Sequence, residues 1–119
     1  MKITLIEDDD MLRKSLAFFL KANGYEVTEF DNGSDAISHI SEQPSEIELV
    51  ITDLNLPFAS GKQVVNTCKT TCENAKVIVL TSMAVETSEV ELFDLGADDF
   101  VAKPFSPQVL LKRIQKVVR

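Results

Sequence analysis

The sequence has few of the residues that build disulfide frameworks or metal–thiolate sites. Its 119 residues include two cysteines, Cys68 and Cys72, and a single histidine, His39. Two cysteines without a nearby histidine or a second cysteine pair do not make a zinc site or a disulfide scaffold, and they fit a reducing compartment. No internal repeat, low-complexity tract or linker divides the chain. We therefore expect one domain over residues 1–119.

Long apolar runs and an excess of positive charge are also missing. The apolar runs are a few residues long, against the ~20 residues that a membrane span requires, and the run after Met1 is too short for a secretion signal. Twelve basic residues stand against 19 acidic residues, a net charge of −7. Such a chain has little non-specific attraction for nucleic acid or membranes. We expect a cytoplasmic domain that binds neither directly.

Short strand-like runs alternate with longer helical patterns along the chain. β-Branched and apolar runs predict strands over 2–6, 25–30, 49–52, 77–80 and 100–102. Helical spacing and end signals predict helices over 11–22, from a cap at 32–34 to 42, and over 62–72, 86–95 and 107–118. Five such β–α units predict an α/β fold, a doubly wound parallel sheet with helices on both faces.

Polar side chains follow the strands of this predicted sheet, at the edge where ligands of open α/β sheets bind. They are Glu7, Asp8, Asp9 and Asp10 after the first strand, Asp53 after the third, Thr81 after the fourth and Lys103 after the fifth. Clustered carboxylates repel one another unless a cation binds or one acid is protonated, and oxygen-only ligands favour Mg²⁺. A lysine and a hydroxyl opposite them suit an anion such as a phosphoryl group. The pattern predicts an acidic Mg²⁺ site with a carboxylate that could act as a nucleophile.

The chain resembles the receiver domains of bacterial two-component response regulators over essentially its whole length. The motifs are Glu7-Asp8 closing the first strand, Asp53-Leu54-Asn55-Leu56-Pro57 closing the third, Thr81 closing the fourth and Lys103-Pro104-Phe105 closing the fifth. Arg13 and the segment 96–100 also match common family usage. The resemblance implies the flavodoxin-like receiver fold, a five-stranded parallel sheet of order 2-1-3-4-5, with no effector domain within 1–119.

The resemblance also implies a reaction and a metal ion. A sensor histidine kinase or a histidine phosphotransfer protein would supply a phosphoryl group to Asp53, and the domain would catalyse its own phosphorylation and dephosphorylation as a signalling switch. The implied Mg²⁺ ligands are Asp8, Asp53 and the backbone carbonyl of Asn55, with Glu7 acting through a metal-bound water. Lys103 and Thr81 would bind phosphoryl oxygens.

The family's switch gives the remaining implications. Movement of Thr81 would draw Phe100 inward and change a surface made of the fourth helix, the fifth strand and the fifth helix, which could control a transcriptional output domain. For a homodimer through that surface, some residues match the expectation and others depart from it. Glu89 and Val109 depart from the family's dimer-forming residues, whereas Asp98, Asp99, Arg113 and Arg119 could supply ion pairs. The Lys103-Pro104 bond is a candidate cis peptide.

Other interpretations stay open at this stage. The chain could be a pseudo-receiver, a protein-interaction module with the fold and no phosphoryl chemistry, in which Asp53 only forms a turn. A small Mg²⁺-dependent phosphohydrolase is disfavoured because Asn55 stands where such enzymes commonly carry a second acid. Asp9 and Asp10 are interpreted as cap and first-turn acids of the first helix. Of Phe18 and Phe19, we expect one to be exposed.

Overall fold

The sheet is parallel and has the order β2-β1-β3-β4-β5. In the computed structural model, which describes residues 1–82, 90–91 and 93–118, the strands are β1 (Lys2–Ile6), β2 (Glu26–Phe30), β3 (Leu49–Asp53), β4 (Lys76–Ser82) and β5 (Asp99–Lys103). The helices are α1 (Asp10–Ala22), α2 (Gly33–Glu42), α3 (Gly61–Thr71) and a C-terminal helix (Pro107–Val117), with a 3₁₀ turn over Pro44–Glu46. The predicted fold and strand order are confirmed.

Part of one predicted helix cannot be compared with the structure. Most of the segment predicted to be helical over 86–95, including Glu89, lies outside the described residues, as does Arg119.

The helices cover the two faces of the sheet and bury a separate apolar cluster on each. On one face, Ala36 and Ile40 of α2 pack with Val64 and Val65 of α3. On the other face, α1 and the C-terminal helix contribute Leu16, Leu20, Leu110 and Ile114. All five residues of β3 are buried, as its uninterrupted apolar run predicts. The sheet that carries the loops at its carboxyl edge is therefore packed on both faces.

Side chains cap the N-termini of the helices at positions that the sequence predicts. Asp9 is the N-cap of α1 and accepts a hydrogen bond from the amide of Leu12 at 3.1 Å, with Asp10 in the first turn. Asn32 caps α2, and Ser106 caps the C-terminal helix. These contacts satisfy amides that have no partner inside the helix. Asp9 and Asp10 are thus explained as helix-terminus residues.

The expectation that one of Phe18 and Phe19 is exposed is confirmed. Phe18 is exposed and Phe19 is half-buried. Cys68 and Cys72 are both buried free thiols that pack in the core. Within the described part of the chain, no helix is both long and apolar enough to cross a membrane.

Candidate functional site

Three acidic side chains meet at the carboxyl edge of the sheet. β1 pairs with β3 through Ile6 and Thr52, so the residues that follow these strands are neighbours. Glu7, Asp8 and Asp53 each offer a carboxylate oxygen, and these oxygens all lie within 4.8 Å of one another. The structure therefore brings together the three acids that the sequence nominates.

Glu7 is the most buried member of this group, with 0% of its surface exposed. Its Oε2 accepts a hydrogen bond from the amide of Asp9 at 3.1 Å, and its own amide donates to the carbonyl of Phe30 at 3.0 Å. Burial raises the pKa of the Glu7 carboxyl, and its hydrogen bond to Lys103 only partly offsets this. An acid at a helix start is usually exposed, so this burial indicates that Glu7 belongs to the site.

Lys103 holds two of the acids together. Its Nζ lies 2.5 Å from Oε1 of Glu7 and 3.2 Å from Oδ2 of Asp53. Burial lowers the pKa of the Lys103 ammonium, but the hydrogen bond to Glu7 and the charge of Asp53 outweigh it, so the pKa is raised. The Lys103-Pro104 peptide bond is cis, as expected. The single ammonium thus offsets part of the negative charge of this carboxylate pair.

Asp53 is held by the backbone of its own loop. Its Oδ1 accepts a hydrogen bond from the amide of Leu54 at 2.7 Å. The first residue of α3, Gly61, closes the loop: its amide donates to the carbonyl of Leu54 at 2.8 Å, and a Cβ there would stand 2.2 Å from the carbonyl oxygen of Asp53. A side chain at Gly61 would therefore push on the backbone that carries Asp53.

The other predicted site residues lie around this group. Asp8 is exposed at the mouth, and Asn55 is exposed in the loop two residues after Asp53. Thr81 is 2% exposed, and its Oγ1 has no hydrogen-bond partner among the described residues. Phe100 is half-buried and packs edge-on against Phe93, with ring centroids 5.1 Å apart. The ligand role of the Asn55 carbonyl and the switch role of Phe100 stay predictions.

Arg13 supports the site in a way that sequence reasoning did not assign. Its guanidinium is largely buried and donates to the carbonyl of Glu7 at 2.9 Å, while it also pairs with Asp10 at 2.7 Å and with Glu29 at 3.4 Å. Arg13 therefore fixes the backbone that carries Glu7. The sequence feature that could have indicated this role is an arginine one turn into a helix that begins with acidic residues.

Two acids predicted to supply ion pairs between chains make them within this chain. Asp99 pairs with Arg113 at 3.1 Å, and Asp98 pairs with Lys69 at 2.8 Å. His39 lies on α2, with its ring tilted against that of Phe30 at the end of β2, and it is not in the acidic group. Neither observation adds a residue to the site.

The site combines carboxylates that suit a divalent cation with an ammonium and a hydroxyl that suit an anion. Three carboxylates supply oxygen donors for a hard divalent cation, while an ammonium and a buried hydroxyl stand on neighbouring strand ends, β5 and β4.

A family model described as the response regulator receiver domain matches residues 3–115. The chain belongs to this family. It is a receiver domain of a two-component response regulator.

The relatives found by sequence are longer than this chain. The chain is 36% identical over 119 residues to response regulator RR06 of Streptococcus pneumoniae, covering 100% of this chain and 54% of the relative. It is 32% identical over 118 residues to the transcriptional regulatory protein SrrA of Staphylococcus aureus, covering 99% and 48%. The receiver domain thus spans about half the length of these curated relatives.

Solved structures agree with this assignment. The receiver domain of HemR from Leptospira biflexa aligns with a TM-score of 0.91 at 29% identity, covering 98% of this chain and 93% of the other. A receiver domain from Clostridium thermocellum aligns with a TM-score of 0.90 at 26% identity, with coverage of 98% and 93%. Receiver domains generally bind Mg²⁺ at an acidic cluster and interact with histidine kinases.

Proposed function

We propose that this receiver domain is a phosphoacceptor switch in which Asp53 takes a phosphoryl group from a phosphohistidine. The observation that carries the proposal is the group formed by Glu7, Asp8 and Asp53, with Lys103 Nζ in contact with two of its members. A sensor histidine kinase or a histidine phosphotransfer protein is the proposed donor. A carboxylate oxygen of Asp53 would attack phosphorus while the bond to the donor imidazole breaks.

The residues of the site suit Mg²⁺ as the resident ion. Glu7, Asp8 and Asp53 present only oxygen donors within 4.8 Å of one another, which is the ligand chemistry that Mg²⁺ prefers. Asp8 and Asp53 would hold the ion directly with the carbonyl of Asn55, and Glu7 would act through a bound water. When bound, the ion supplies positive charge against the phosphoryl oxygens.

The chain's own groups have separate tasks in the transfer. The Leu54 amide fixes the orientation of the Asp53 carboxylate. The ammonium of Lys103 now contacts Oδ2 of Asp53 and would pair with a phosphoryl oxygen instead. The Thr81 hydroxyl is buried and has no partner among the described residues, which is costly for a polar group. A phosphoryl oxygen on Asp53 would give that hydroxyl its missing partner.

The proposed output is a change of surface. Engagement of Thr81 by the phosphoryl group would bias Phe100 and the surface of β5, the C-terminal helix and the segment predicted to be helical over 86–95. Control of a transcriptional output domain is proposed by analogy with the longer relatives. A homodimer through the same surface is also proposed, although Asp98 and Asp99 form ion pairs within the chain.

Intact-protein mass spectrometry after incubation with acetyl phosphate tests the proposal. Wild type should gain one phosphoryl group only when Mg²⁺ is present, and Asp53→Asn should gain none while keeping the fold. Asp9→Asn is the matched control, because Asp9 is an exposed acid beside the site and asparagine also caps helices well. This control should label like wild type. Labelling of Asp53→Asn at wild-type levels would refute the assignment.

A titration with Mg²⁺ and beryllofluoride separates a phosphoacceptor from a pseudo-receiver. Beryllofluoride with Mg²⁺ imitates an acyl phosphate and does not depend on the donor's reactivity. A phosphoacceptor should bind both, with amide chemical-shift changes at Thr81 and Phe100 in NMR spectra. A wild-type protein that takes no label and binds neither ligand would favour the pseudo-receiver.

A further inference from the structure

The first turn of α2 lies directly against the loop that follows the proposed phosphoacceptor, Asp53. We define this segment, residues 54–60 between β3 and α3, as the acceptor loop. The amide of Gly33 donates to the carbonyl of Pro57 at 3.2 Å. A Cβ on Gly33 would stand 2.0 Å from the carbonyl oxygen of Ala59 and 2.7 Å from its carbonyl carbon. A side chain at Gly33 is therefore incompatible with this approach of the two backbones.

The acceptor loop adopts an unusual conformation at this contact. Phe58 has φ of 71°, and the amide of Ala59 donates to the carbonyl of Pro57 at 2.9 Å, which makes a tight three-residue turn. A positive φ is uncommon for a residue with a side chain. The ring of Phe58 is 88% exposed, so packing of the ring does not account for the turn.

The backbone contacts give a reason for this turn. The carbonyl of Pro57 accepts two amides, one from Ala59 inside the loop and one from Gly33 on α2. The carbonyl of Ala59, two residues further along the chain, lies against Gly33. The left-handed residue between these two carbonyls therefore stands where the loop meets α2.

The same short loop is closed tightly at its other contact. The amide of Gly61 donates to the carbonyl of Leu54, and a Cβ on Gly61 would stand 2.2 Å from the carbonyl oxygen of Asp53. The segment between these anchors is only a few residues long, and it contains Asn55. A displacement at Pro57 or Ala59 has little chain in which to be absorbed before it reaches Asp53.

We propose that Gly33 is a positioning residue of the phosphoacceptor site: the N-terminus of α2 braces the acceptor loop, and the left-handed turn at Phe58 is the loop conformation that this brace requires. The brace acts through the backbone and sets the position of Asp53 and of the Asn55 carbonyl. The functional part rests on the proposed Mg²⁺-dependent phosphorylation of Asp53, and the placement of the loop does not. Gly33 and Phe58 touch no reacting atom in this scheme.

A pair of glycine variants tests the brace. Gly33→Ala places a methyl group against Ala59, whereas Gly24→Ala serves as the control because Gly24 has φ of 92° and nothing within 4 Å of its Cβ position. Both variants should lose stability. Only Gly33→Ala should weaken Mg²⁺ binding, measured by calorimetry, by about 10–100-fold, as seen when supports of metal ligands are removed. Equal Mg²⁺ affinity in wild type and both variants would overturn the proposal.

Substitutions of Phe58 provide a test that does not depend on folding of Gly33→Ala. Phe58→Gly and Phe58→Asn remove the ring and keep the left-handed turn accessible, whereas Phe58→Val removes the ring and opposes the turn. Glycine and asparagine variants should keep wild-type Mg²⁺ affinity and labelling by acetyl phosphate. The valine variant should lose about tenfold or more in affinity. Equal losses in all three would assign the effect to the ring and overturn the brace.

Amide NMR spectra distinguish failure of the brace from failure of the proposed function. In protein without Mg²⁺, Gly33→Ala and Phe58→Val should shift the amides of Leu54 and Asn55, and Gly24→Ala should not. These shifts are expected whether or not the wild type binds Mg²⁺ or takes a phosphoryl group. Unchanged loop amides in a folded Phe58→Val variant would refute the brace by themselves.

Discussion

Replacing Lys103 with methionine should destabilise the metal-free protein. Methionine keeps the unbranched apolar stem and removes the ammonium that contacts Glu7 and Asp53 at 2.5 and 3.2 Å. Removing one partner of a buried ion pair costs about 3–5 kcal/mol. Because the Lys103 side chain is 24% exposed, water can replace part of the contact, and we expect a loss at or just below the lower end of that range, about 2–3 kcal/mol.

Urea unfolding in EDTA, followed by far-UV circular dichroism, measures this loss. With a denaturant slope of about 1–3 kcal/mol/M, the midpoint of Lys103→Met should fall by about 0.7–3 M. Lys112→Met is the control, because Lys112 is an exposed residue of the C-terminal helix. Its free energy of unfolding should change by less than about 0.5 kcal/mol.

A second substitution shows whether charge causes the loss. The pKa of Glu7 is raised by burial, so its stabilising contribution is complete below its unfolded pKa and is lost as pH rises through the folded value. Above its folded pKa, the ionised Glu7 therefore opposes folding. Glu7→Gln should recover much of the stability lost in Lys103→Met, and the loss in Lys103→Met should shrink as pH falls through the folded pKa of Glu7. A Lys103→Met midpoint at or above wild type, or no recovery by Glu7→Gln, would refute the reasoning.

Two further predictions concern groups outside the acidic site. Burial raises the pKa of Cys68 to about 12, so neither Cys68 nor Cys72 should react with a thiol reagent at pH 8 until urea unfolds the protein, when two equivalents should react. Rapid labelling of the folded protein would contradict this. Asp98→Ala should lower the free energy of unfolding by about 1–3 kcal/mol, because Oδ2 of Asp98 accepts from Lys69 Nζ and from the Val77 amide, both at 2.8 Å. An unchanged unfolding midpoint would show that these contacts are replaced by water.

Local features of the sequence predicted the elements and the order of the site residues. The buried strand β3 follows from a continuous apolar run, and the caps Asn32 and Ser106 follow from side chains that accept hydrogen bonds from their own first turns. The capping box of α3 was available as Ser60 and Gln63 three residues apart, and it places the helix start at Gly61 instead of the next residue. Each of these signals lies within a few residues of the structure it specifies.

The features that could not be predicted depend on contacts between distant segments. The full burial of Glu7 requires β2 and Lys103 to surround it, and no residue near Glu7 in the sequence indicates that. The left-handed φ at Phe58 is disfavoured by the residue type itself. The requirement for glycine at position 33 comes from the carbonyl of Ala59, and only the approach of α2 to the acceptor loop reveals it.

The site therefore combines local and long-range construction, and the two parts have different roles. The Glu7 and Asp53 carboxylates each accept a hydrogen bond from a backbone amide one or two residues further along, so their orientation is fixed by their own loops. Lys103 reaches them from 96 and 50 residues away, on the last strand of the sheet. Its ammonium can be placed only when β5 has docked against β4. In the proposed transfer, Lys103 would exchange a carboxylate for a phosphoryl oxygen, and it lies on the strand that carries Phe100. We therefore expect a charge change at Asp53 to act through Lys103 on the edge strand whose surface we propose as the output.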